Sequence, residues 1–263
     1  INIFILLKKT FFFGGDLPLL PNTIAPLGMA APPPAGPPRS RSQQDIDDIE
    51  VDMLDAWERR LQKELRGIIT HLTKADRRAI EPSDVNSYDW DWRDDYGEEV
   101  ADEIAIAYAE ALATTGFVAT PLMGIQALAV RYARARAGEL LAESGRWSVS
   151  AVTREGVRDL VAQTIEEGQS LNWLQKRLRE DYLFSRSRAE SISRTETGRV
   201  LGKASMQSFQ SQGIEGKRWI TAGDDRVCAY CRAGASDDVI PMSRHFSNGA
   251  MDTGDSHPRC RCK

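Results

Sequence analysis

All four cysteines of this chain fall within its last 36 residues, in two close pairs, Cys228-Ala-Tyr-Cys231 and Cys260-Arg-Cys262. His257-Pro-Arg leads into the second pair, and 25 residues separate Cys231 from His257. A disulfide-stapled secreted fold spreads its cysteines through a small domain with little apolar core. Clustering at one end points instead to metal binding in a reducing compartment. A two-residue gap lets both thiolates of the first pair reach one ion from a tight turn, and the second cluster supplies the opposite side of a tetrahedron. Zinc takes sulfur and imidazole nitrogen in this way, and sites closed by four protein ligands are structural. Five donors compete for four places. The first choice is Cys228, Cys231, His257 and Cys260, with Cys262 as the alternative to His257, so an all-cysteine site stays open. Free structural thiols, disulfides and redox chemistry are the other readings of the same residues.

The segment between the clusters, 232–256, is rich in Gly, Ser and Asp and poor in large apolar residues. By itself it is expected to bury little surface. Loops of that length without structure of their own are uncommon in compact domains. A structural zinc contributes about 10–16 kcal/mol of apparent binding free energy at neutral pH, enough to offset the ordering of such a loop.

Upstream, the pattern is helical. Ile46, Ile49, Met53, Trp57, Leu61, Leu65, Ile68 and Leu72 recur at spacings of three and four, which predicts a long amphipathic helix from Asp45. An acidic, aromatic connection follows from Pro82 to Tyr96, whose Trp90 and Trp92 are read as covers for the domain's own core. Helices are then expected over 97–115, ended by Gly116, and over 122–144. Another runs from a cap at Ser150 or Thr153 to Glu167, and a short one follows Ser170. A last helix is predicted from Ser185 to Gln212 with Gly213 as its left-handed stop, and Lys217-Arg218-Trp219-Ile220 reads as a strand.

Ahead of these helices, residues 29–44 (MAAPPPAGPPRSRSQQ) carry too much proline for a helix or central strand and read as an extended arm. The first residues hold an apolar run broken by Lys8 and Lys9, shorter than the roughly 20 residues a bilayer span needs. No membrane partner is therefore expected. Translation is expected to begin at Met29, with 1–28 as upstream sequence. The division read here is an arm over 1–44, a helical region over 45–184 and a C-terminal module over 185–263. The fold class is α+β: a mainly helical body with a small strand-containing module stabilised by zinc.

The formal net charge of −4 argues against a protein that coats nucleic acid non-specifically. Local charge is uneven, however, and 176–203 is basic through Lys176, Arg177, Arg179, Arg186, Arg188, Arg194, Arg199 and Lys203. Contact of that stretch with DNA stays open, and a zinc-containing nucleic-acid-binding module is the rival reading of the whole. An enzyme is not expected. Cys228 or Cys231 beside His245 or His257 could be drawn as a hydrolase pair, but the pattern commits the cysteines to a cage, and no Gly-rich phosphate loop or His-Glu-x-x-His is present.

The run SRAESISRTETGRVLGKASMQSFQSQGIEGKRWITAGDDRVCAYCRAGA, closed by HPRCRC, resembles the phage head morphogenesis family named after the Mu F protein. The shared features, in order, are an Arg-Thr-Glu-Thr helix, a Gly-Ile turn, a Lys-Arg-Trp strand, an Asp-Asp-Arg-Val-Cys-x-x-Cys segment and a terminal Cys-Arg-Cys. Where members often have an apolar residue and Ala before Arg-Thr-Glu, this chain has Ile192 and Ser193, a small change at a small-residue position. The resemblance implies a minor capsid protein in few copies per head, acting near the portal in head assembly or DNA delivery. It implies the portal and other head proteins as partners, and the virion as location after assembly in the host cytoplasm. Arg194, Thr195 and Glu196 are read as a structural network in preference to an Arg and a Glu acting on a substrate phosphate, with Glu190 pairing Arg194 along the helix and Glu196 reaching Arg199, Lys203 or a neighbouring backbone amide. Arg186 and Arg188 are read as solvated helix charges, with contact to phosphate as the alternative.

Overall fold

The computed structural model describes residues 43–74, 80–115, 122–145 and 147–262. The expectations for the first 42 residues and for a stop at Gly116 lie outside them. Mainly helical architecture with a small strand region is what these residues adopt. Helix α1 covers Gln43–Lys74, so the helix begins two residues before Asp45 and takes in the end of the expected arm. Ile49, Met53, Trp57, Leu61, Leu65, Ile68 and Leu72 are all buried, as their spacing requires. Complete burial of a Leu such as Leu61 contributes about 1.5–3 kcal/mol, an upper figure because the unfolded chain already buries some surface.

A five-residue turn of helix, α2 (Pro82–Asn86), precedes α3 (Trp92–Thr114). The latter starts earlier than its apolar pattern indicated, because Asp91 accepts a hydrogen bond from the backbone N–H of Arg93 and caps it. Trp92 is fully buried and Trp90 packs partly buried beside Tyr88, as expected of core covers. Helix α4 (Leu122–Leu140) lies against α3, with Ala129, Ala133 and Ala137 on the buried stripe. These small side chains let the two axes approach closely. Helix α5 (Val149–Glu166) is capped by Ser148, not by Ser150 or Thr153. The Ser148 Oγ accepts from Ala151 N, whereas Ser150 Oγ donates to the Ala142 carbonyl and Thr153 Oγ1 to that of Val149. Gly168 follows in the left-handed region at φ 63°. Ser170 caps α6 (Leu171–Glu180) as predicted.

Helix α7 (Arg186–Ser211) agrees closely with expectation, with Ser185 as cap and Gly213 at φ 70°. It packs on α1 and α3 and contributes Ala189, Val200, Leu201 and Ala204 to their shared core. A second core gathers Leu65, Ile68 and Leu72 of α1 with Val157 of α5, Leu174 of α6 and Phe184. Beyond α7 come β1 (Gly216–Lys217), α8 (Ala229–Ser236) and β2 (Ile240–Pro241), with β1 and β2 antiparallel. The strand expected over Lys217–Ile220 is corrected to Gly216–Lys217, and Arg218, Trp219 and Ile220 lie beyond it because Trp219 turns into the third core. Segment 232–256 buries more than anticipated, since Ile240, Phe246 and Ala250 close over Trp219 and Cys231 in a third core. Among the described residues no helix is long and apolar enough to cross a membrane.

Candidate metal centre

Each half of the cysteine pattern is held by a different device. Cys228 is the N-cap of α8, and its Sγ accepts a hydrogen bond from Cys231 N at 3.4 Å. Residue 231 lies one turn into the same helix and is buried against Trp219 and Phe246. The second half lies in an irregular terminal segment after a single 3-10 turn, Thr253–Asp255. This turn sits directly on α7. A Cβ added to Gly202 would stand 2.6 Å from Gly254 N, so only glycine permits the approach. Lys203 anchors the turn through Asp252 at 2.9 Å and Asp255 at 2.6 Å.

The donors converge. His257 Nε2 lies 3.2 Å from both Cys228 Sγ and Cys231 Sγ, and Cys260 Sγ lies 3.6 Å from Cys231 Sγ. Two overlapping triads result, Cys228–Cys231–His257 and Cys231–Cys260–Cys262, each with its ligand atoms within 4.8 Å of one another. Cys231 belongs to both. A tetrahedron with Zn–S of about 2.3 Å and Zn–N of about 2.0–2.1 Å has S···S edges of about 3.8 Å and S···N edges of about 3.5 Å. The observed separations fall within a few tenths of an ångström of those edges. Imidazole chemistry agrees. His257 Nδ1 is 2.8 Å from the Pro258 carbonyl, which can only accept, so Nδ1 carries the proton and Nε2 presents its lone pair to the thiols. This cluster could bind a metal ion, and all five residues singled out from the pattern are part of it.

Electrostatics at the cluster set the thiols apart. Burial pushes the Cys231 thiol far up, and the neighbouring sulfurs of Cys262 and Cys260 push it further. Burial also raises Cys260. At Cys228 burial acts in the same sense but is outweighed by hydrogen bonds from the backbone N–H groups of Cys231 and Tyr230, and the net shift is downward. A thiolate at a helix N-terminus is favoured for this reason.

Two arginines interleaved with the terminal ligands tie that segment down, and the pattern alone did not reveal them. Arg261, between Cys260 and Cys262, forms a bidentate pair with Asp224 at 2.6 and 2.8 Å. These bonds, with Arg226 adding to them, hold the Asp224 carboxyl well below the usual range. Asp224 precedes Cys228 by four residues, so the pair joins the approaches to both halves of the cluster. Arg259, between His257 and Cys260, adopts φ 59° and donates its N–H to Thr195 Oγ1 at 3.1 Å. The alternation Arg259-Cys260-Arg261-Cys262 was the visible signal, but its acceptors lie far away in sequence.

The Arg-Thr-Glu-Thr segment is a structural network, though with partners other than those expected. Glu190 pairs with Arg259 at 3.6 Å and Arg194 with Glu50 at 3.2 Å, so the intrahelical Glu190–Arg194 pair is replaced by contacts between elements. Glu196 does lie 3.8 Å from Arg199, yet its main partner is Arg136 of α4, buried with it in a bidentate pair at 2.7 and 2.8 Å. Arg188 is buried, not solvated. It donates to Thr153 Oγ1 and to the Leu183 and Val149 carbonyls, and loss of hydration lowers its pKa to about 10. Arg186 pairs with Glu58. Much of the basic stretch is therefore answered inside the chain, while Lys176, Arg177 and Arg179 are exposed on α6.

The family model described as Phage Mu protein F like protein covers residues 155–263, from within α5 through the whole cysteine cluster. No curated protein and no solved structure matches the chain.

Proposed function

We propose, from the match of residues 155–263 to the Phage Mu protein F like family, that this chain is a minor capsid protein of a tailed phage or prophage. It acts in head morphogenesis close to the portal, or in DNA delivery, with the portal and other head proteins as partners. It would assemble in the host cytoplasm and end in the virion. The carrying observation is that the matched segment takes in α7, the Thr253–Asp255 turn packed on it, the Trp219 core and the whole cysteine cluster.

The cluster serves as a structural zinc site in this reading. Cys228, Cys231 and Cys260 would hold the ion, with His257 as fourth ligand and Cys262 as the alternative. A divalent cation favours the thiolates that burial disfavours, and it clamps the terminal segment onto α8. Contact with packaged DNA is assigned to the exposed cations of α6, and it should weaken steeply as salt rises. The C-terminal module is taken as 185–263 and the helical region as 45–184, although α7 shares the core of α1 and α3. Mass spectrometry of purified DNA-filled heads tests the assignment. A few copies per head are expected, and absence from heads while the chain is abundant in the lysate would overturn it.

A further inference from the structure

Among the described residues, Arg259 is the one non-glycine residue with positive φ, at 59°. It stands between two candidate ligands, His257 and Cys260. A left-handed conformation is unfavourable for a residue with a side chain and persists only where its surroundings hold it. Here two groups on successive turns of α7 do so. Thr195 Oγ1 accepts the Arg259 N–H at 3.1 Å while donating its own proton to the Ser191 carbonyl at 2.6 Å. Glu190 meets the guanidinium at 3.6 Å. The same helix face closes over the ligands. A cavity of about 20 Å³ is walled by Thr195, Gly198 and Arg199 on one side and by His257, Cys260 and Cys262 on the other.

Consider what the kink achieves. In an extended segment, alternate side chains point to opposite sides, and residues 257 and 260 would face apart. The left-handed residue between them turns the chain so that His257 Nε2 and Cys260 Sγ both reach Cys231, at 3.2 and 3.6 Å. We infer that Thr195 is a positioning residue of the metal centre, acting through the Arg259 backbone to bring the terminal ligands onto the Cys228–Cys231 pair. The Arg-Thr-Glu-Thr helix thus divides its labour. Glu196 faces inward to Arg136, whereas Thr195 faces the metal loop. The inference rests on the zinc reading above and extends it to the helix.

Thr195→Val keeps shape and removes the acceptor, and Thr195→Ser keeps the acceptor. Arg259→Gly retains the N–H and the left-handed conformation while deleting the guanidinium. Zinc affinity of the full-length chain is measured by competition with a chromophoric chelator, alongside the visible spectrum of the cobalt-substituted protein and far-ultraviolet circular dichroism. Loss of a group hydrogen-bonded to a metal ligand lowers affinity about 10- to 100-fold, and Thr195, which acts through the neighbouring Arg259 N–H, should cost about the lower figure. That loss is expected for Thr195→Val, together with an altered cobalt spectrum and unchanged helix content. Thr195→Ser and Arg259→Gly should stay close to the parent. Equal affinity and spectra in parent and Thr195→Val would overturn the positioning role alone. A parent chain that takes up neither metal would overturn the zinc reading beneath it. Should Thr195→Val lose helix content, Thr195→Ser and Arg259→Gly decide: parental binding in both supports the role, and a tenfold loss in both overturns it.

Discussion

Glu196→Gln removes one charge from a pair that bridges α4 and α7 inside the core. Both side chains are almost fully enclosed, Arg136 at 6% and Glu196 at 3% exposure, and the two hydrogen bonds between them are 2.7 and 2.8 Å long. Removing one member of a buried pair typically costs about 3–5 kcal/mol, because the survivor is left charged without its partner. Arg136 retains Glu139 at 2.5 Å, but that carboxylate is largely in water, with 66% of its side chain exposed. Its residual screening places the expected loss near the lower end, about 3 kcal/mol. Urea denaturation followed by far-ultraviolet circular dichroism reads this directly as a shift in midpoint at constant slope. The double variant Arg136→Met with Glu196→Leu should recover most of the loss, since well-packed apolar replacements of a buried pair are often neutral. A loss under about 1 kcal/mol in Glu196→Gln, or additive losses in the double variant, would refute the reasoning.

Two further outcomes follow from the same packing. Gly202→Ala pushes a Cβ to 2.6 Å from Gly254 N, so the 3-10 turn must move away from α7. About 1–3 kcal/mol should be lost, read as an earlier far-ultraviolet circular dichroism midpoint in a denaturant series. Glu64 is buried and hydrogen-bonded by Tyr88 and Tyr96, and burial raises its pKa above the ordinary 4.5. The folded state then holds this proton more tightly than the unfolded one. Its contribution is most favourable at low pH and declines as pH rises from about 4.5 through the raised folded value. In Glu64→Gln that decline should vanish, and parallel stability–pH profiles for the two chains between pH 4 and about 8 would contradict the assignment.

Local signals were legible where one residue decides the geometry. The stripe on α1 from Ile49 to Leu72, the cap at Ser170, the start of α7 beside Ser185 and the stop at Gly213 depend on spacing and side-chain type, and each lies where it was read. The start of α5 was less legible because Ser148, Ser150 and Thr153 carry equivalent hydroxyls; Ser148 and Ser150 both donate to the Ala142 carbonyl, but only Ser148, just ahead of Val149, also accepts the Ala151 N–H. Cross-element pairs were illegible for a different reason. Glu196 lies 60 residues from Arg136 and Arg259 lies 64 from Thr195, and helix periodicity carries no information about partners at that range. The cluster's five donors were visible as a spacing pattern, but the bend that gathers them depends on α7. Segment 232–256 looked poor in core because its few apolar residues are dispersed; it folds because Trp219, outside it, supplies the surface they close on.

The occupancy of the cluster is tested most directly by elemental analysis of the full-length chain, purified without chelators. About one equivalent of zinc per chain is predicted, retained in the Cys262→Ser variant and lost in Cys231→Ser, whose thiol belongs to both donor triads. Less than about half an equivalent in the parent chain, or undiminished zinc in Cys231→Ser, would contradict it.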